Sequence, residues 1–306
     1  MIHVTTPCTI MFSLSAAPFG HCVFPIEKHL IPRNTGTQDM PELPELQIIA
    51  ERLTNLLSGL TISKTIVHNH LVVHGITASD FESKSVGETF DSVRADGKFL
   101  ILSLTHYDIV LNLMLTGRLR VLPKHKRPTG YDMVSLHIED SALWYSDAKK
   151  MGRIYLVEKG DYSNVADFEG RGPSALDPLL TLEVFRERIK RHRGQIKNVL
   201  RNQRFVKGIG NAYADEILLY AGIFPFRKRS TLTDNEIKNL YLSMKKVLTR
   251  IHDILSNRSL DEIAIEKRDF LMVHNRGGEI CPLCGGKVSE ITANRFKTSY
   301  CQTCQK

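Results

Sequence analysis

The stretch Lys207-Gly-Ile-Gly-Asn-Ala-Tyr-Ala-Asp-Glu216 lies where a strongly basic segment passes into a new helix. Glycine lets a backbone approach a ligand closely, and the free amides at a helix N-terminus attract a phosphate. Asn211 can add a side-chain donor to the same oxygen. Upstream, residues 186–207 hold nine Lys and Arg against one acid, Glu187. Most such charge runs are solvated helix faces, but this one leads directly into Gly210 and Asn211, and we predict a phosphate clamp.

Helical patterns surround this stretch. The apolar spacing predicts helices over residues 182–192, 195–202, 212–221 and 235–255. The last of these opens with Thr233-Asp-Asn-Glu236, which has the spacing of a capping box. The segment between the linker and the cysteines is therefore predicted to be helical.

Four cysteines crowd the end of the chain, in the pairs Cys281-Pro-Leu-Cys284 and Cys301-Gln-Thr-Cys304. Two such pairs complete a tetrahedral Zn–S₄ site with no open position, and the residues between them suit a β-hairpin. Disulfides or free thiols are the alternative, but a secreted disulfide scaffold would spread its cysteines along the chain. We therefore predict one structural Zn²⁺ and no organic cofactor. The zinc would supply folding energy that so short a unit cannot obtain from a core.

The N-terminal half has a different pattern. Leu46, Ile49, Ala50, Leu53 and Leu57 recur at helical spacing, with Pro44 near the first turn. Short β-like runs follow at residues 61–67, 99–104, 109–115, 133–138, 142–145 and 154–157. Gly, Asp and Pro between many of them favour an antiparallel sandwich or barrel. Residues 160–178 are rich in Gly, Asp and Pro, which indicates an interdomain linker.

Residues 1–39 show neither helical nor strand periodicity, and four prolines interrupt every candidate element. A secretory signal is a weak alternative, because no Lys or Arg precedes the apolar residues 10–17. We interpret this segment as a disordered extension, or as sequence upstream of a true start at Met40.

Composition limits the class of protein. The chain has 306 residues, 42% apolar and 24% charged, which is ordinary globular usage. It holds no run of 18 apolar residues, so we expect no membrane-spanning helix. Its formal charge of +8 suggests a polyanionic partner. The cysteine distribution favours a reducing, cytoplasmic environment.

The segment Met40-Pro-Glu-Leu-Pro-Glu45 resembles the start of the formamidopyrimidine-DNA glycosylase and endonuclease VIII family. The resemblance continues through Gly97-Lys98-Phe99, Leu115-Thr-Gly117, the stretch 207–216 and the four-cysteine finger, and so covers residues 40–306. Leu43 and Glu45 favour the formamidopyrimidine branch.

The fold that the resemblance implies is α+β, with DNA in the cleft between its parts. An N-terminal antiparallel β-sandwich with flanking helices would occupy residues 40–159, followed by the linker 160–178. A helix-two-turn-helix domain would occupy 179–276, and a zinc-finger hairpin 277–306. Residues 1–39 stand outside this division.

The resemblance also implies a chemistry. A base must leave the duplex before an enzyme can reach its glycosidic carbon. The N-terminal proline of the family, here Pro41 after removal of Met40, would attack that carbon, expel the base and form a Schiff base. Glu42 would serve as acid and base at the sugar ring oxygen, and Lys98 would contact phosphate. If residues 1–39 stay attached, Pro41 is an amide without a nucleophilic lone pair. We therefore expect translation from Met40, with processing or a non-lyase as the alternatives.

Further residues follow from the same resemblance. Leu115, Lys149 and Met151 align with the Met, Arg and Phe that fill the gap left by the flipped base. Lys149 lacks the planar fork with which Arg reads an opposite base.

Lys197 would lie beside the damaged nucleotide. Asn211 and Arg295 would grip flanking phosphates, with Lys297 as the alternative to Arg295. The segment 259–279 is short for a loop that closes over an oxidised purine, so the substrate range leans toward formamidopyrimidines or oxidised pyrimidines.

The sequence therefore predicts a monomeric base-excision-repair glycosylase with AP-lyase activity, which acts on damaged double-stranded DNA and not at a membrane. One alternative is a non-catalytic damaged-DNA-binding protein with Pro41 blocked. Another is a general zinc-ribbon nucleic-acid module, which gives no reason for Pro41, Glu42 and Lys98 to occur together.

Overall fold

The structure is a computed structural model that describes residues 40–128, 130–264, 267–293 and 296–306. The predictions for residues 1–39 lie outside these ranges. The helices are α1 (Leu43–Leu57), α2 (Ala78–Ser85), α3 (Leu182–Lys190), α4 (Ile196–Arg201), α5 (Asn211–Ala221), α6 (Asp234–Ser256) and α7 (Leu260–Ala264). The strands are β1 (Ile62–Val67), β2 (Phe90–Asp96), β3 (Phe99–Leu104), β4 (Tyr107–Asn112), β5 (Gly117–Pro123), β6 (Asp132–Ile138), β7 (Ser141–Asp147), β8 (Arg153–Glu158), β9 (Val288–Ala293) and β10 (Phe296–Cys301).

Two four-stranded antiparallel sheets form the N-terminal part. Their strand orders are β1-β6-β7-β5 and β2-β3-β4-β8. Side chains of both sheets, such as Ile62, Leu102 and Leu136, join one buried apolar core. The core extends into the helices, where Leu53, on α1, is also fully buried. The predicted α+β class with antiparallel sheets is confirmed.

Several elements escaped the sequence analysis. In β2 the buried side chains are those of Phe90 and Val93, and two apolar residues at this spacing are too few to predict a strand. In β5, arginines alternate with apolar residues in the first half, and the strand ends in a proline. The strand predicted over 109–115 stops at Asn112, because the chain turns at Met114, where φ is +51°.

The helical elements follow the predicted pattern closely. Helix α6 begins one residue earlier than predicted, and its capping box is confirmed. The Glu236 amide donates to Thr233 Oγ1 at 3.2 Å, and the Thr233 amide donates to Glu236 Oε2 at 2.8 Å. Helix α5 ends at Gly222, which adopts the left-handed conformation (φ +70°) that glycine enters without a Cβ penalty.

Residues of the predicted linker 160–178 pack against the N-terminal sheets. Val165 is buried against Phe99 and Ile101, with Phe168 packed beside them. Arg171 donates to the Asp96 carboxylate at 2.9 Å. These contacts cover the face of β3 that does not join the main core, so the segment belongs to the packing of the N-terminal sheets.

The C-terminal hairpin is held against α5 by buried polar contacts. Asp215, which is fully buried, forms an ion pair with Lys197 (2.7 Å) and accepts from His274 Nδ1 (2.8 Å) and the Ser299 amide (3.1 Å). Glu216 accepts the backbone amides of residues 272, 273 and 274 at 2.8–3.0 Å. Asp215 and Glu216 of α5 therefore hold in place both the segment that leads to the hairpin and the second strand of the hairpin.

Along the ranges that the structure describes, no helix combines the length and apolar character that crossing a bilayer requires.

We expect Lys197→Met to lower the free energy of unfolding by about 3 kcal/mol, because it leaves the buried Asp215 carboxylate without its lysine partner. Urea denaturation measures the change. Lys190→Met is the matched control, since Lys190 pairs with Glu187 at the surface and such pairs contribute at most about 1 kcal/mol. Equal stabilities for the two variants would contradict the buried cross-link.

Candidate functional site

Glu42 links the N-terminal sheets to the glycine stretch. It precedes α1 and is 5% exposed. Its carboxylate accepts the amides of Gly210 (2.5 Å), Ala212 (2.9 Å) and Tyr213 (3.3 Å). The free amides and the dipole at a helix N-terminus favour a negative charge there. The first turn of α5 therefore binds a carboxylate of the chain itself, where the sequence had suggested a phosphate.

The two glycines of the stretch permit this contact. A Cβ at Gly210 would lie 2.5 Å from the Glu42 carboxyl carbon. Gly208 has φ +98°, and a Cβ there would lie 2.6 Å from Leu43 Cβ. The Leu43 amide donates to the Gly208 carbonyl at 3.0 Å. Close approach of the backbone is required, as the sequence predicted, but the approaching group is the start of α1.

Burial raises the pKa of Glu42 to about 7, with a further upward contribution from Glu45. The nearby charge of Arg268 and the amides of Gly210 and Ala212 act in the opposite direction and are outweighed. A carboxyl with this pKa can hold a proton near neutral pH and also release it. Such a group is suited to both directions of proton transfer.

Arg268, which the sequence analysis missed, anchors the backbone next to Pro41. Its guanidinium donates to the Met40 carbonyl at 3.1 Å and pairs with Glu45 at 2.8 Å. Tyr213 donates its hydroxyl to the same Glu45 carboxylate at 2.5 Å. All of these side chains except that of Met40 are more than nine-tenths buried. A single arginine among alternating charges gives no sequence signal for such a role.

Pro41 lines a small recess at the start of α1. The other residues of this recess are Glu45, Ile49, Leu113, Gly117, Arg118, Leu119, Leu260 and Ile263. They come from α1, the β4–β5 turn, β5 and α7. In the chain as written, the Pro41 nitrogen is acylated by Met40.

Lys98 follows Gly97 (φ +65°) in the tight turn between β2 and β3. Its Nζ lies 3.2 Å from Asp167 Oδ2, and it is 22% exposed. The hydrogen bond and charge of Lys98 hold the pKa of Asp167 below its usual value. At the same turn, Asp96 forms an ion pair with Lys207. The structure thus brings the turn that carries Lys98 to the first residue of the glycine stretch.

Lys197 and Asn211 both reach the second strand of the C-terminal hairpin. Lys197 Nζ donates to the Lys297 carbonyl (2.8 Å) and to Thr298 Oγ1 (3.0 Å), beside its ion pair with Asp215. Burial lowers the pKa of Lys197, and Asp215 opposes this shift. Asn211 Nδ2 donates to the same Lys297 carbonyl at 3.0 Å. Both side chains therefore position the hairpin, and a contact of either with DNA stays a prediction.

The predicted finger residue Arg295 lies outside the described residues. Its neighbour Phe296 is stacked under the Arg201 guanidinium, with 3.8 Å between the guanidinium carbon and the ring centroid. Lys297, the alternative to Arg295, pairs with Glu290 at 3.1 Å and is partly exposed.

The three predicted void-filling residues stand on two neighbouring loops. Leu115 is half-buried in the turn between β4 and β5, whereas Lys149 and Met151 are exposed in the loop between β7 and β8. The Lys149 amide donates to Thr116 Oγ1 at 2.9 Å and so joins the loops. Both loops connect the two sheets, and the pairing of Gly117 with Asp147 and of Asn112 with Arg153 brings the three residues to the same end of these strands.

The four C-terminal thiols meet at one point. Their sulfur atoms all lie within 4.8 Å of one another, with 3.9 Å between Cys281 and Cys304 and 3.4 Å between Cys284 and Cys301. Four sulfurs at about 2.3 Å from a tetrahedral zinc would be separated by about 3.8 Å. A disulfide would need about 2.05 Å. Cys301 ends β10 of the predicted hairpin, and the donor set fits Zn²⁺.

Comparisons with known proteins agree over most of the chain. Residues 40–154 match the model of the formamidopyrimidine-DNA glycosylase N-terminal domain, and residues 171–254 match the H2TH domain of the same enzyme. The formamidopyrimidine-DNA glycosylase of Bacillus cereus is 32% identical over 275 residues, which cover 87% of this chain and 99% of the relative. That of Listeria innocua is 30% identical over 273 residues, which cover 87% and 100%.

Solved structures show the same fold. A Lactococcus lactis Fpg mutant in complex with DNA that contains Fapy-dG gives a TM-score of 0.80 at 24% identity, covering 87% of this chain and 100% of that one. The L. lactis Fpg in complex with DNA that contains an abasic site gives 0.79 at 24% identity, covering 87% and 99%.

We expect Cys281→Ser to lose bound zinc, because three thiolates hold the ion less tightly than four and the ion provides folding energy to the hairpin. Metal analysis of the purified protein measures the zinc stoichiometry. Thr303→Ser, in the second knuckle, is the control that leaves all four thiols in place. Full zinc retention by Cys281→Ser would rule out the four-thiolate site.

Proposed function

This chain belongs to the formamidopyrimidine-DNA glycosylase family, and we propose that it excises oxidised or ring-opened bases from damaged double-stranded DNA and then nicks the strand. The observation that carries the proposal is the position of Glu42. It lies next to Pro41, buried on the N-terminus of α5, and its pKa is raised to about 7. An isolated Pro-Glu pair on a surface would have neither the burial nor the helix behind it.

The proposed reaction begins when the damaged nucleotide leaves the stack. The secondary amine of Pro41 attacks C1′ of the sugar, and the bond from C1′ to the base breaks with the electron pair going to the base. The departing base takes the proton that the Pro41 nitrogen loses. Glu42 gives its proton to the ring oxygen as the ring opens, which leaves an iminium between Pro41 and C1′. The iminium acidifies the proton at C2′. Loss of that proton expels the 3′ phosphate, and a second elimination expels the 5′ phosphate.

This chemistry requires a free Pro41. A proline amide has no nucleophilic lone pair, so we propose that the active form begins at Pro41, after translation from Met40 or after processing. The Met40 carbonyl held by Arg268 supports the other candidate, a non-catalytic damaged-DNA-binding protein in which the extension blocks Pro41. The catalytic and the non-catalytic candidate would use the same DNA-binding surface of the protein.

The proposed substrate class follows from the two loops and from α7. Lys149 offers a single ammonium where a planar guanidinium would read an opposite base bidentately, so we propose weak discrimination of the base opposite the lesion. The short helix α7 places Leu260 and Ile263 in the recess beside Pro41. We propose formamidopyrimidines as the main lesions, with 8-oxoguanine and oxidised pyrimidines as the other lesions to assay.

The remaining assignments complete the proposal. One structural Zn²⁺ would be held by the four thiolates, where it stabilises the hairpin and takes no part in the reaction. Lys98 would contact a phosphate of the damaged strand, and Lys197, Asn211 and Arg295 would hold or support the backbone around it. We propose that the protein acts as a monomer in the cytoplasm of a bacterial-type cell.

We expect protein that begins at Met40, with the methionine removed, to be trapped on damaged DNA by borohydride, because reduction of the iminium makes the link permanent. The full chain from Met1 should give no adduct unless it is processed. A second expectation concerns Pro41→Gly in the shorter protein. This variant should excise bases about 10²-fold more slowly, since the ring that orients the amine is lost. DNA binding should persist. Mass spectrometry of the N-terminus and single-turnover excision are the measurements.

Pro44→Ala, three residues further on in the first turn of α1, is the control for an effect of proline loss on folding. If the full chain proves to be an efficient, unprocessed lyase, or if Pro41→Gly excises at the normal rate, the proposed nucleophile is wrong. Tight, damage-specific binding without any adduct from either form would favour the non-catalytic alternative.

We expect a bell-shaped pH dependence of the excision rate. Glu42 must be protonated to act as the acid, and that form is lost above about pH 7. Pro41 must be neutral, and a terminal amine loses its proton near pH 8. The product of the two fractions peaks between these values. Glu42→Gln should be slow but should rise to a plateau, without the decline at high pH. Glu51→Gln, at an exposed position of α1, should keep the bell, and an unchanged decline in Glu42→Gln would assign it to another group.

A further inference from the structure

The loops that carry the predicted void-filling residues share one buried carboxylate. Asp147 is the last residue of β7 and is fully buried. It stands opposite Gly117, the first residue of β5, in the antiparallel pairing of these strands. One of the two loops therefore begins at Asp147, and the other ends directly across from it.

Each oxygen of the carboxylate binds one hydroxyl and one backbone amide. Oδ1 accepts the Thr116 hydroxyl and the Lys149 amide, the latter at 3.1 Å. Oδ2 accepts the Gly152 amide at 2.7 Å and the Tyr145 hydroxyl at 3.3 Å. Burial and the Asp147 charge raise the pKa of Tyr145, so this phenol stays a donor. Asp147 thereby fixes the loop 148–152 at both ends and ties it to the turn that contains Leu115.

The backbone around these contacts leaves little freedom. A Cβ at Gly152 would lie 1.7 Å from the Tyr145 hydroxyl oxygen, and a Cβ at Gly117 would lie 2.3 Å from the Leu113 carbonyl oxygen. Met114 and Lys150 adopt left-handed conformations, with φ of +51° and +53°. Such backbone persists only where its surroundings determine it.

We propose that Asp147 is the positioning residue for the insertion of Leu115, Lys149 and Met151 into the duplex. This inference rests on the proposed function, because it takes the two loops to be the part of the protein that fills the space left by the flipped nucleotide. Asp147 itself contacts no DNA in this proposal. It acts by holding the two loops in register, and a side chain that enters a base stack must be placed to within a fraction of an ångström.

The isosteric variant Asp147→Asn tests this directly. A carboxylate accepts at both oxygens, whereas an amide presents NH₂ at one of the two positions. Hydroxyls can rotate to accept from that NH₂, but the amides of Lys149 and Gly152 cannot. In either orientation of the asparagine one of these contacts is lost, while the volume of the side chain is unchanged: the Gly152 amide loses its carboxylate acceptor, or the Lys149 amide keeps only Thr116 Oγ1.

The first measurement needs binding but no chemistry. A duplex with a tetrahydrofuran abasic analogue opposite 2-aminopurine reports unstacking of the opposite base when the gap is filled. At saturating protein, Asp147→Asn should give a smaller fluorescence increase than the unmodified protein, with the same zinc content. Asp108→Asn is the matched control, because Asp108 is also a buried acid that accepts a tyrosine hydroxyl (2.6 Å) and a glycine amide (3.1 Å), on β4. It should give the full increase.

The second measurement separates positioning from general damage to the protein. In protein that begins at Met40, Asp147→Asn should slow excision of a lesion from duplex DNA by about 10²-fold. Its cleavage of an abasic site in single-stranded DNA should stay normal, since a single strand leaves no gap to fill. Thr116→Val should reproduce the selective loss in milder form, and Thr116→Ser, which keeps the hydroxyl, should restore it.

Equal fluorescence and equal duplex excision in Asp147→Asn and the unmodified protein would overturn the inference. So would equal losses on duplex and single-stranded substrates, which would mark Asp147 as a general structural residue. Absence of cleavage by the unmodified protein would instead count against the proposed function, and the fluorescence measurement would still decide the role of Asp147.

Discussion

The contact between the Glu42 carboxylate and the first turn of α5 determines much of the remaining structure. It joins the residue just before α1 to the helical part of the chain, across 168 positions of sequence. Burial of a carboxylate is costly, and here three amides and the positive end of a helix offset part of that cost. The part of the cost that they do not offset raises the pKa of Glu42 to about 7. The interaction that places the two parts of the molecule therefore also gives the carboxyl its chemical character, and any movement of α5 would change both.

Helix α5 extends this dependence to the C-terminal hairpin. Its first turn binds Glu42, and Asp215 and Glu216, one turn further on, bind the segment 272–274 and the second hairpin strand. Beyond its last turn, Gly222 and Ile223 accept hydrogen bonds from the final residues of the chain. A short rigid helix thus holds the predicted nucleophile region and the four-thiol site in a fixed relation. A hairpin with so small a core of its own needs this support, to which the proposed zinc would add.

The sequence predicted the features that are encoded locally and missed those that arise between distant segments. The cysteine spacing, the capping box at Thr233 and the apolar period of α1 each depend on residues a few positions apart, and the structure has these elements where they were expected. The sequence predicts that the backbone at Gly210 approaches a ligand, and the structure places Glu42 against it. This partner could not be predicted from the sequence, because a glycine does not specify what approaches it. Arg268 gave no signal because its partners Glu45 and Met40 lie 223 and 228 positions away. Asp147 gave none although Tyr145, Lys149 and Gly152 are within five positions of it, because no sequence pattern marks an acid that binds the backbone of an irregular loop.

The buried acids Glu42, Asp147 and Glu216 share a physical logic. Each accepts at least two backbone amides, a task for which a carboxylate is suited because it accepts at both oxygens and donates at neither when ionised. Hydrocarbon in these places would avoid the burial of charge but would leave the amides without acceptors inside the protein. Stability alone therefore does not explain these acids, whereas the placement of irregular backbone does. Glu42 lies just before α1 and Asp147 ends β7, whereas Glu216, within α5, binds the irregular segment 272–274 that leads to the thiols. The parts proposed to act on DNA are irregular segments of this kind, and buried carboxylates give them the rigidity of the strands and helices around them.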